Sequence, residues 1–257
     1  MRWMSCWWAG CAGVALALTG ADALAADECS VRSGGTIVPL IELYTSEGCS
    51  SCPPADRWLS RELRSGEHRA NWLAFHVDYW DELGWSDRFA SPLHTERQRQ
   101  RVKAVRRSAV YTPQVMIGSQ VQTTWRAAPA VERALEAAQG PARVGLALRW
   151  QSQAVGSTLH LGAARRGKPS GKPASVWLAQ TLDAQETRVR AGENAGATLR
   201  HDRVVTRLWG PWPLGRAPLA KAVRIEPGQG AWGLTAFVQE ADGTVLQSLR
   251  LAQSHCR

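Results

Sequence analysis

The chain is poor in methionine, in acidic residues and in long apolar runs. Three methionines among 257 residues leave little for Met-rich copper chemistry. Asp and Glu number 22 against 31 Lys and Arg, a net charge of +9. After the N-terminal region no segment is long and apolar enough to cross a bilayer. The sequence also lacks a phosphate-cradling loop, paired cysteine clusters at metal-binding spacing, a serine-hydrolase elbow, a nucleic-acid motif and an internal repeat. These absences turn the reading away from nucleotide-dependent, zinc-finger, serine-hydrolase and nucleic-acid functions. What is present is ample core: 44% of residues are hydrophobic, which argues against global disorder.

The one early apolar run, from about Trp7 to Leu18, follows Arg2 and precedes the small-residue stretch Ala23-Leu24-Ala25. That order reads as a secretory signal over residues 1–25, so the protein is expected to be exported, periplasmic or extracellular. Its loss would remove Arg2 and Asp22 together and leave the charge unchanged. A basic exported protein is attracted to an anionic envelope surface; nucleic acid is not expected there. Four cysteines remain: Cys29, Cys49, Cys52 and Cys256. Of their three pairings, the most economical joins Cys49 to Cys52 reversibly and Cys29 to Cys256 as a structural bridge. The latter would close almost the whole chain, worth on the order of 5 kcal/mol before strain. Free thiols at Cys29 and Cys256 are the alternative.

The pair Cys49-Ser50-Ser51-Cys52 sits between a strand-like run (36–44) and a helical pattern (53–63) with Ala55, Trp58, Leu59 and Leu63 at helical spacing. Both sulfurs therefore stand where a helix begins, and its partial positive charge favours a thiolate. Cys49 would attack a disulfide and Cys52, a turn deeper, would resolve the mixed disulfide. Ser50 and Ser51 are small and polar, can leave backbone N–H groups facing the sulfur without crowding it, and are expected with Thr112 to bind substrate. Glu47 is a like charge that opposes ionisation, so the Cys49 pKa is expected to be lowered only modestly.

Further elements follow: a strand over 71–79, a basic helix over 87–109, a strand over 113–117 with a hairpin partner over 121–125, and a helix over 129–138. Gly140-Pro141 ends that helix. Beyond it the residues alternate in twos through seven or eight short runs, the pattern of an antiparallel sandwich. The expected division is thus 1–25 signal, 26–140 α/β domain, 141–257 β-sandwich. Arg165–Lys172 reads as a flexible hairpin loop. The arginines of the basic helix read as a solvated face.

The order β-α-β-α-β-β-α, with Cys49 and Cys52 after its first strand and Thr112-Pro113 before its third, resembles the thioredoxin fold. The stretch from Glu42 to Asp56, with His76-Val77-Asp78-Tyr79-Trp80-Asp81, Tyr111-Thr112-Pro113-Gln114, and Gly192-Glu193-Asn194-Ala195-Gly196 before His201, resembles an exported two-domain family catalogued as domain of unknown function 1223. The resemblance implies a cis bond at Pro113, packed against the cysteine pair, and a Thr112 backbone exposed to a peptide substrate. It implies proton transfer by a carboxylate near Glu42. It names no substrate.

These readings converge on a thiol–disulfide oxidoreductase that needs no cofactor. It would act on a protein or small-thiol disulfide and be served by an unidentified redox partner. Two alternatives stay open. One is a Cu(I)-binding protein with Cys49, Cys52 and His76 as ligands. The other is an envelope binding module in which the cysteine pair is a static staple. Glu193 and Asn194 either fix a hairpin or reach toward the other half of the chain.

Overall fold

The computed structural model describes residues 28–65, 69–152, 156–167, 171–226 and 230–256. The expected signal 1–25 and residues 168–170 of the Arg165–Lys172 loop lie outside the described residues. Strand β1 (Glu28–Arg32) is followed by β2 (Leu40–Thr45), every residue of which is buried, as a strand covered on both faces requires. Helix α1 (Pro53–Arg64) opens on two prolines, whose missing N–H groups cost nothing in a first turn. Strand β3 (Asn71–His76) lies parallel to β2, with Leu43 opposite Ala74 and Thr45 opposite His76. Helix α2 (Pro92–Ala104) is capped by Ser91, whose Oγ accepts from the Leu93 N–H. It is shorter than expected because residues 87–91 are used as a loop that feeds the site below. Strand β4 (Gln114–Ile117) pairs antiparallel with β2 and carries the short edge strand β5 (Gln120–Val121). Helix α3 (Ala128–Ala138) closes this part.

After α3 the described residues contain no α-helix. Strands β6 (Val144–Ser152), β7 (Ser157–Arg165), β8 (Ala174–Leu182), β9 (Gln185–Arg188), β10 (Thr198–His201), β11 (Val204–Pro213), β12 (Leu219–Ile225), β13 (Trp232–Glu240) and β14 (Val245–Ala252) follow. They form a four-stranded sheet β1-β6-β7-β12, a pair β9-β10, and an eight-stranded sheet in the order β14-β13-β8-β11-β3-β2-β4-β5. No helix among the described residues is long and apolar enough to cross a membrane.

This corrects the expected fold class. A thioredoxin-like β-α-β-α-β-β-α domain followed by an antiparallel β-sandwich does not form; the molecule is mostly strand, and its largest sheet runs through both halves of the chain. The join is the edge of β3, where Val204 of β11 lies parallel to Ala74 and the Ala74 N–H donates to Arg203 O at 2.9 Å. An open β3 edge would leave backbone groups unpaired, and β11 satisfies them. The packing agrees. One cluster combines Leu40, Tyr44, Phe75 and Met116 with Ala179, Val205, Phe237 and Val245. The first strand also crosses over: β1 pairs with β6, Cys29 opposite Trp150, and a Cys29–Cys256 disulfide ties it to the chain's end with Cα atoms 5.1 Å apart. A separate core lies between the two sheets, built on Leu148, Leu159, Val176, Leu178, Leu234 and Leu251. Another packs α1 and α3 on β2–β4 through Leu59, Trp58, Trp72 and Leu135.

The basic helix is corrected as well. Arg97 and Arg101, four apart on α2, are buried and paired with Glu42 of β2.

Candidate functional site

Cys49 and Cys52 form a disulfide at the start of α1, with Cα atoms 5.4 Å apart. Cys52 itself has helical φ and ψ, and its carbonyl accepts from the Ala55 and Asp56 N–H groups at 2.8 and 3.2 Å. The neighbours Ser50 and Ser51 are exposed, whereas neither cysteine has accessible surface. Ser51 Oγ lies 3.4 Å from Cys49 Sγ and 3.4 Å from Thr112 O. The Thr112–Pro113 peptide is cis. Trp80 Nε1 donates to Thr112 Oγ1 at 2.7 Å, which fixes this turn beside the cysteine loop.

The cover over the loop comes from far along the chain. Asn194 Nδ2 donates to Glu47 O at 2.8 Å and to Cys49 O at 3.0 Å. Glu193 Oε2 accepts from the Ser50 N–H at 3.0 Å. Bonding to the Ser50 side chain and backbone holds the Glu193 carboxyl below its ordinary range. Thus the Ser50 N–H, expected to face the sulfur, is engaged by Glu193. Gly192 has φ of +72° and lies against Trp85, with the Trp85 Cβ 3.2 Å from where a Cβ would be; only glycine suits that turn.

Beneath the disulfide lies a buried group of titratable side chains. Asp87 Oδ2 lies 2.6 Å from His76 Nδ1 and accepts the Glu47 N–H at 2.9 Å. Glu47 Oε2 accepts from Trp85 Nε1 at 2.8 Å. His201, at the end of β10, stands between two carboxylates: Nε2 is 3.5 Å from Glu47 Oε1, and Nδ1 is 3.6 Å from Asp56 Oδ2. Thr45 Oγ1 donates to Asp56 Oδ2 at 3.3 Å. The His76 and His201 rings meet edge to face at 4.8 Å. Burial would raise Asp87, but the charge of His76 and its bond hold it at about 2. Burial opposes the charged form of His76 too, yet Asp87 raises it above its ordinary range. Asp56 is raised by burial, an effect His201 and His76 only partly offset. Glu47 is lowered despite burial, because His201 and Thr187 beside it and the bond from Trp85 favour its carboxylate.

The other expected site residues fall elsewhere. Glu42 was the expected proton-transfer group. Its Oε1 accepts from Arg97 Nε at 2.8 Å, its Oε2 accepts from Arg101 Nε at 2.6 Å, and Tyr44 donates to Oε1 at 3.2 Å. Burial alone would raise it, but the two guanidiniums hold it below the carboxylate range. It is a fixed counter-ion, not a proton carrier. His76 is oriented by Asp87, and among the described residues no group of three or more His, Cys, Asp or Glu side chains is arranged to hold a metal ion. The alternative Cu(I) set of Cys49, Cys52 and His76 is not assembled among the described residues. Asp56, Asp87 and His201 were missed as a group; the signal available was a carboxylate four residues after Cys52, one helical turn on.

The family described as "Protein of unknown function (DUF1223)" matches residues 40–239. No curated protein matches the chain significantly. Among solved structures, the fold is similar to a crystal structure of a protein from Agrobacterium tumefaciens at 23% identity and a TM-score of 0.62, covering 85% of this chain and 96% of that one. It is also similar to HBP35 of Porphyromonas gingivalis at 13% identity and a TM-score of 0.61, covering 85% of this chain and 76% of that one.

Proposed function

From the premise that this chain belongs to the DUF1223 family, we propose that it is an exported thiol–disulfide oxidoreductase working through Cys49 and Cys52. The observation that carries this reading is the Cys49–Cys52 disulfide at the first turn of α1. The N-terminus of α1 favours a thiolate there. In the oxidising direction the substrate thiolate attacks a sulfur of the pair. A mixed disulfide forms, the other sulfur leaves as a thiolate, and a second substrate thiol completes the exchange. Export is inferred from the run Trp7–Leu18 with Ala23-Leu24-Ala25 and from the Cys29–Cys256 bridge, which oxidising compartments permit. The substrate class is a protein or small-thiol disulfide, and an anionic envelope surface is a fitting neighbour for a chain of net charge +9.

A second reading has an observation of its own. Both sulfurs are fully covered, as in a static staple. Measuring the reduction potential of the Cys49–Cys52 pair in glutathione buffers separates the two. A potential in the range of known exchange enzymes, about −120 to −270 mV, supports exchange. A potential below about −300 mV with no reduction of insulin overturns it.

A further inference from the structure

The buried group of titratable side chains has loose ends that packing alone leaves unexplained. Glu47 Oε1, His76 Nε2 and both ring nitrogens of His201 are buried without a hydrogen-bond partner within bonding distance. An unpaired buried polar atom is costly, so such atoms call for a role. His201 comes from β10, yet its two nitrogens face carboxylates that flank the cysteines in sequence: Glu47, two residues before Cys49, and Asp56, four residues after Cys52. On a helix, positions four apart share a face, so Asp56 lies one turn below Cys52. Its backbone N–H bond to Cys52 O at 3.2 Å closes that turn.

We propose that Asp56 and His201 handle the proton of Cys52 during exchange, an inference that rests on the exchange reading above. In a mixed disulfide between Cys49 and a substrate sulfur, the Cys52 thiol gives its proton to Asp56. The Cys52 thiolate then attacks Cys49 Sγ. The Cys49–Cys52 bond forms, the bond from Cys49 to the substrate sulfur breaks, and its electron pair leaves on the substrate thiolate, which is protonated by water. The cysteine pair is oxidised and the substrate sulfur reduced. In reverse, the proton returns from Asp56 to Cys52.

Asp56 has an exit for that proton. It lines a cleft of about 360 Å³ between α1 and β10 with Pro53, Arg57, Ser60 and Arg200. His201 offers a second station toward Glu47. The charged and titratable groups facing the pair are Glu47 from the loop before α1, His76 of β3, Asp87 from the loop before α2, and Asp202 beside Ser60. Asp56 takes the Cys52 proton, His201 positions Asp56, and neither contacts substrate.

The test uses the full reduced protein and 2,2′-dithiodipyridine. Attack by Cys49 releases one pyridinethione, and resolution by Cys52 releases the second, so absorbance reads the two steps separately. In Asp56→Asn and His201→Gln the first phase is expected within about twofold of the parent. The second is expected to fall at least about tenfold at pH 7. It converges with the parent near pH 9.5, above the ordinary thiol range of about 8.5, where solvent takes the proton directly. Asp56→Glu is expected to restore most of the rate. If the parent shows no first phase, the exchange reading itself fails. If the parent shows both phases and the variants match it at every pH, or slow equally at every pH, the relay is overturned. Should the variants not fold, the parent's second phase in heavy water decides: no slowing there overturns the relay.

Discussion

Asn194 and Cys49 stand 145 residues apart in the chain and are joined by a hydrogen bond of 3.0 Å from the amide nitrogen to the carbonyl oxygen. The same amide group holds Glu47 O. One side chain from the β-rich half therefore clamps both ends of the Glu47-Gly48-Cys49 turn, and its neighbour Glu193 takes the next N–H. The cysteine loop is shaped by residues that no local pattern ties to it.

Removing that clamp should loosen the cover. In Asn194→Ala the carbonyls of Glu47 and Cys49 lose their donor, which costs about 1–3 kcal/mol. The Cys49–Cys52 disulfide is expected to be reduced by dithiothreitol severalfold faster, read by quenching with an alkylating reagent and weighing the product. Unchanged reduction kinetics would show that Asn194 does not limit access.

Glu42 holds two buried guanidiniums. Arg97 in turn lies over Phe237 at 4.8 Å and Trp177 at 5.1 Å, and Arg101 donates to Gly118 O and Gly243 O. The triad thus pins α2 to both halves of the large sheet. Glu42→Gln is expected to destabilise the oxidised protein by about 3–5 kcal/mol, because it leaves buried charge uncompensated. Urea unfolding of the two proteins checks this. A loss under about 1 kcal/mol would mean that water reaches the arginines.

The local features were readable and the distant ones were not. The cysteine spacing, the prolines at 53 and 54, and the Thr112-Pro113 step are written in a few adjacent residues, because a turn or a helix start is decided over one turn of chain. Strand partners are decided by which edges meet, and alternation in twos marks a strand without naming its neighbour. That is why the pairing of β1 with β6 and the parallel contact of β11 with β3 went unforeseen, and with the latter the sheet that runs through both halves of the chain. Glu42 gave a usable hint: a carboxylate inside Leu40–Thr45, a strand buried throughout, must find cations, and Arg97 and Arg101 share one helix face. His201 stood out only through the family resemblance and gave no hint of its partners Glu47 and Asp56, which lie more than 140 positions earlier.

The Cys29–Cys256 bridge spans 227 positions and restrains the unfolded chain more than any shorter link would. Replacing both cysteines by serine is expected to cost about 2–5 kcal/mol, read as a lower urea midpoint, while the Cys49–Cys52 pair still yields two titratable thiols once reduced. An unchanged midpoint would mean that the pairing of β1 with β6 already fixes the end.

Acid stability should bear the mark of His94. Burial drives its imidazole down to about 4, against about 6.5 in an unfolded chain. Between those values the unfolded chain binds a proton that the folded one refuses, so stability falls as pH drops from about 6.5 toward 4. The penalty is a few kcal/mol at most, since each pKa unit is worth about 1.4 kcal/mol. His76 acts above this window. Its folded pKa is raised by Asp87, so its contribution is full below about 6.5 and fades as pH rises through the folded value. Asp87, held at about 2, contributes fully above the ordinary carboxylate value of about 3.9 and loses its contribution as pH falls toward 2. Urea unfolding of the oxidised protein at pH 4, 5, 6.5 and 8 should therefore peak near pH 6.5. His94→Gln should flatten the limb between pH 6.5 and 4 and leave the limb above pH 6.5 in place, because His76, held up by Asp87, is still there to generate it. A limb that persists in His94→Gln would assign the acid loss to other groups.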